Sequence, residues 1–153
     1  HRAAKFFSDH LLTKQMQENT NIYIKFVKSL QDCGSAGVEG YNAKGQPRDF
    51  LIEINPYLGA RGILEALAHE MVHVKQFAYS ETNDSLTRWL GMPVPEGLDY
   101  YDEPWEIEAY GMSAGLFTKF AIQEKLWETF SDVSDPDSPI NPEPIKWRVF
   151  PTI

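Results

Sequence analysis

A single cysteine, Cys33, occurs among 153 residues, so no disulfide can form within the chain. Its Asp32-Cys33-Gly34-Ser35 setting provides no adjacent base, which argues for a turn cysteine and against a nucleophile. Long apolar runs are also lacking. Nothing approaches the roughly 20 residues needed to cross a bilayer, so no membrane partner is expected. No secretory signal is recognisable, and with the lone thiol this leads us to expect a cytoplasmic protein. Positive charge is scarce: 14 Lys and Arg face 22 Asp and Glu, for a net charge of -8. Phosphate contacts need clustered cations, and there is no basic stripe, so nucleic acid is not expected as a partner. Histidine occurs four times, at positions 1, 10, 69 and 73, and no internal repeat is visible.

What the chain does contain is apolar and aromatic. Hydrophobic residues make up 42%, with nine Phe, seven Tyr and four Trp, enough for one core and too many for disorder. In residues 2–17, Ala3, Phe6, Phe7, Leu11, Leu12 and Met16 recur at helical spacing. Ile22, Ile24 and Phe26 alternate with Tyr23 and Lys25 as in a strand, a short strand is expected near 38–42, and 48–55 gives the clearest strand. The expectation is an α+β fold: an N-terminal helix, a small, mainly antiparallel three-strand sheet, then two long helices. We place one domain at residues 1–130, its last helix running on toward Phe130. An acidic, Pro-rich extended tail is expected over 131–153, ending in a strand at 145–150 that adds to the fold or occludes a cleft.

The richest signal lies in the first long helix. From Ile63 to Tyr79 there is no Pro or Gly, and apolar residues surround it almost completely, as in a buried helix. Within it, residues 69–73 read His-Glu-Met-Val-His. Four-residue spacing puts His69 and His73 on one face, one turn apart, where both imidazoles can reach one zinc ion while Glu70 lies beside it. The plain alternative is two histidines spaced by four through coincidence. It leaves three ionisable groups on an apolar helix uncompensated, and a metal supplies the compensation.

Catalytic zinc usually takes three protein ligands, and no histidine follows His73. A carboxylate from 100–117 is therefore expected, on a second helix that Asp102 caps and Pro104 opens. Glu106 and Glu108 would point about 200° apart, so at most one faces the metal. We choose Glu106, because Ala109 and Ser113 on its face are small and permit close helix approach. Glu108 is then solvent-facing or supports a ligand, and Asp102 and Glu103 are acids favoured at a helix start. The segment 80–101 would wall a specificity pocket, with Trp89 as an aromatic contact, or form a satellite core cluster.

On these residues the chain resembles small zinc metallopeptidases of the gluzincin type, in which a His-Glu-x-x-His helix precedes a helix carrying a Glu ligand. Glu106-Ile-Glu-Ala109-Tyr110 is similar to the second motif. His69 to Gln76, and the order helix, strands, helix over roughly residues 1–120, also resemble SprT-like metallopeptidase domains of bacteria and phages. The SprT-like DNA-repair proteases use a third histidine, absent here, so their DNA-linked substrates are not carried over. The resemblance implies a zincin-like fold and a peptide or protein substrate. Zinc on His69, His73 and Glu106 would activate water, with Glu70 as general base. Tyr100, Tyr101, Tyr110 and Arg88 are possible oxyanion donors, while Asp102, Glu103 and Glu108 are possible acceptors orienting the imidazoles. The competing reading is an inert zincin scaffold that zinc stabilises for binding or regulation.

Overall fold

The computed structural model describes residues 1–131. Helix α1 (Arg2–Leu11) buries Ala3, Phe7 and Leu11, one per turn, against the core. The expected single N-terminal helix is in fact two. Leu12 is extended, and α2 (Lys14–Glu18) starts afresh with Thr13 Oγ1 accepting the Met16 N–H at 3.2 Å. Three strands follow: β1 (Asn21–Phe26), β2 (Gly34–Tyr41) and β3 (Pro47–Ile54). On β3 the alternation puts Phe50, Ile52 and Ile54 into the core.

The sheet order is β1-β3-β2, with β3 antiparallel to β2 and parallel to β1, so the mainly antiparallel expectation is corrected to a mixed sheet. Direction still alternates along the chain, but β3 inserts between its predecessors. The β1–β2 connection is tied to the end of β3, where Val27 N–H donates to Ile54 O, Asn55 N–H to Cys33 O, and Asn55 Nδ2 to Leu30 O. A period of two fixes which side chains face the core, and it carries no information on which strand lies alongside. Among the described residues both β1 and β2 are edges.

Helix α3 (Gly59–Ala78) crosses the sheet and is buried on nearly all sides, as its apolar circumference predicts. It ends where Ser80 takes a left-handed φ of 56°, with Ser80 N–H on Phe77 O and Glu81 N–H on Gln76 O. This is a Schellman closure without glycine. Segment 80–101 then forms a small hairpin, β4 (Arg88–Trp89) with β5 (Met92–Pro93), and a 3-10 turn at Tyr100–Asp102. Helix α4 (Pro104–Gln123) packs on α3 through buried Ala109 and Ser113. Its N-cap is Glu103 and no side chain caps it, so Asp102 is not the cap that the sequence suggested. Nor does α4 run on to Phe130: it closes at Lys125, φ 56°, before a separate short α5 (Trp127–Ser131). The expected tail and its terminal strand lie outside the described residues. Among those described, no helix is long and apolar enough to cross a membrane.

Candidate metal centre

Two helices bring the ligand set together. On α3 the His69 and His73 rings meet edge to face with centroids 4.8 Å apart, and their Nε2 atoms are 3.1 Å from each other. From the first turn of α4, Glu106 presents Oε2 at 3.1 Å from His69 Nε2 and Oε1 at 3.3 Å from His73 Nε2. Ligand atoms about 2.0–2.1 Å from a tetrahedral zinc would be separated by about 3.3 Å. The Nε2–Nε2 separation is close to that spacing, each histidine faces a different oxygen of Glu106, and one donor atom from each of the three residues lies within 4.8 Å of the others; two imidazoles with one carboxylate form a donor set that zinc accepts. All three side chains are nearly enclosed, with 8–12% exposure.

Electrostatics keep one carboxylate of the site ionised. Burial works to raise the Glu106 carboxyl, but hydrogen bonds from His69, His73 and Tyr100 outweigh it and bring its pKa down to about 2. Burial opposes charge on His73, yet Glu106, Glu70 and Gln76 together push its pKa upward. Glu70, adjacent to the pair, is only 6% exposed, and burial lifts its carboxyl to about 7 against the pull of both histidines. Gly34, at the start of β2, makes room for it: a Cβ there would lie 2.9 Å from Glu70 Cγ and Oε1.

Neither a family model, nor a curated protein, nor a solved structure matches the chain.

His69, Glu70, His73 and Glu106 thus lie together in one cleft, whose opposite wall is the Asp32–Ala36 stretch leading into and opening β2. Tyr100, Tyr101 and Tyr110 also line it, with the Tyr110 ring 4.5 Å from that of His69. Tyr100 is hydrogen-bonded to Glu106 and Tyr110, and burial above all raises its pKa, which keeps the phenol protonated. Other expectations move. Arg88 donates to Gly91 O within the β4–β5 hairpin, and Trp89 pairs with Met92 there; neither lines the cleft, whereas Leu86 does. Glu103 accepts the Trp105 indole N–H at 2.9 Å. Of the three acids considered for orienting an imidazole, Glu108 alone is connected to one, and only through an intermediary.

That intermediary is Gln76, which the sequence reading passed over except as a motif match. It is wholly buried, and its Oε1 lies 2.8 Å from His73 Nδ1. A signal was present: Gln76 sits three residues after His73 on an apolar helix, within side-chain reach. Lys75, also overlooked, pairs with Glu108 at 2.7 Å and Glu81 at 2.8 Å. The Schellman closure of α3 is what turns Glu81 back toward it.

Proposed function

We propose that this chain is a zinc-dependent peptidase of the zincin type, acting on peptide or protein substrates in the cytoplasm. The observation that carries the reading is the convergence of one donor atom each from His69, His73 and Glu106 within 4.8 Å of one another, with buried Glu70 alongside. When bound there, zinc supplies Lewis acidity that brings water activation within reach of neutral pH. Glu70, buried beside the histidine pair, would take the proton from the attacking water and pass it to the leaving amine nitrogen. The protonated phenols of Tyr100 and Tyr110 offer donors for the developing oxyanion. β2 supports an extended substrate. It is an edge strand bordering the cleft, its outer flank has no strand partner among the described residues, and an extended peptide can add to such an edge.

Hydrolysis of casein by zinc-loaded protein, together with its loss in Glu70→Gln, tests the proposal. The variant is expected to keep one zinc per chain by elemental mass spectrometry and to lose at least about a hundredfold in turnover. Full activity in Glu70→Gln would overturn the assignment. A zinc-loaded wild-type protein inert toward casein would favour a metal-stabilised binding scaffold.

A further inference from the structure

We propose that Gln76 is a positioning residue that dictates the tautomer of His73 and locks the Glu106-bearing turn against α3. The inference rests on the metal-site reading above and adds to it a residue outside the ligand set.

The reasoning needs only donor and acceptor chemistry. Gln76 Nε2 lies 2.9 Å from the Trp105 carbonyl oxygen and 2.9 Å from Glu108 Oε2. Both partners accept: a carbonyl has no proton to give, and Glu108 is ion-paired with Lys75 at 2.7 Å. The amide must therefore direct both N–H groups at them. Flipping it would set Oε1 against two acceptors inside a site with no exposure. With the amide fixed, its oxygen faces His73 Nδ1 at 2.8 Å, and that nitrogen must carry the proton. A neutral His73 then has its lone pair on Nε2, the atom 3.3 Å from Glu106 Oε1 and 3.1 Å from His69 Nε2, so the hydrogen bond to Glu106 belongs to the doubly protonated ring alone.

The same amide constrains the second helix. Trp105 directly precedes Glu106, so the bond to its carbonyl sets the height of the first turn of α4 over α3. One buried side chain thus orients a ligand from each helix. Its orientation is fixed in turn by Lys75, which neutralises Glu108 and is paired a second time by Glu81. Groups that fix ligand orientation in this way commonly change metal affinity by 10–100-fold.

The test uses the whole chain in two states. In metal-free, ¹⁵N-labelled protein, at a pH high enough that the His73 ring signals no longer move with pH, two-bond ¹H–¹⁵N correlation spectra should show His73 entirely as the Nδ1–H tautomer. Gln76→Leu should shift His73 toward the Nε2–H form and weaken zinc binding by about 10–100-fold in chelator competition. Ile52→Val, which trims a core residue of β3 that does not line the cleft, should leave zinc affinity within about twofold and so separates positioning from general loss of stability. Wild-type His73 as Nε2–H, or as a mixture, would overturn the proposal, as would unchanged affinity in folded Gln76→Leu. If that variant fails to fold, the wild-type tautomer still decides. If wild-type protein binds no zinc, the peptidase reading fails while the tautomer result stands or falls separately.

Discussion

A methyl group at position 34 would collide with the carboxylate of Glu70. Gly34 of β2 lies against Glu70 of α3, and a Cβ only 2.9 Å from that side chain leaves no room without moving the acid. Gly34→Ala is therefore expected to lower turnover by roughly tenfold to a hundredfold, a typical effect of ångström-scale misplacement, while zinc stoichiometry stays at that of wild type. Gly37→Ala on the same strand meets nothing within 4 Å and is the matched control. Equal losses in both variants would refute the steric explanation. At this scale the clustering of the candidate ligands was legible because a helix converts sequence spacing directly into geometry: His69 and His73 needed only the period of 3.6, and Glu106 only that period and small neighbours. Gln76 was not, because its decisive partners, Trp105 and Glu108, lie 29 and 32 residues away on another helix. The same holds for Gly34, whose reason for being a glycine lies on α3.

The elements show a similar division. Apolar periodicity placed α1, β1, β3, α3 and α4, but several boundaries moved. Both long helices end in Schellman closures whose left-handed residues are Ser80 and Lys125, where a glycine would have announced the stop. The apolar pattern at Ile122, Leu126 and Phe130 continues past Lys125, so α4 looked longer than it is. Left-handed backbone strains any residue with a Cβ, and Lys125 is exposed. Lys125→Gly should accordingly stabilise the protein by roughly 0.5–1 kcal/mol. The check is a shift of the urea midpoint to higher concentration at constant slope; an unchanged or lower midpoint would count against strain at this position. Strand order lay beyond local pattern altogether, since the insertion of β3 between β1 and β2 is decided by the ties of residues 27, 30 and 33 to the end of β3.

At the scale of the whole molecule, the buried carboxylates give the metal-free protein a pH profile with two flanks. Glu70 has its folded pKa raised from 4.5 to about 7, so the folded state holds that proton more tightly than the unfolded chain. Its contribution to stability is complete below about pH 4.5 and is lost as pH rises toward 7. Glu106, lowered to about 2, works in the opposite sense: its contribution is present above 4.5 and is lost as pH falls toward 2. In chelator, Glu70→Gln should therefore be more stable than wild type at pH 8 by on the order of 1–3 kcal/mol, with the gap closing at pH 4.5. Urea titrations at the two pH values measure this; a gap independent of pH would mean that Glu70 is not held in its neutral form.

The separation of the two ligand helices also sets a sequence of events in time. His69 and Glu106 are 37 residues apart, and closing a flexible loop of that size costs roughly 3 kcal/mol of chain entropy, which docking of α4 must offset. During synthesis the histidine pair emerges before the carboxylate exists. Until α4 folds back on Ala109 and Ser113, the chain offers two imidazoles without their anionic partner, and Gln76 has no Trp105 carbonyl to hold. The nascent polypeptide would thus stay without a complete centre until α4 has docked on α3, a useful order of assembly for a protein proposed to cut other chains.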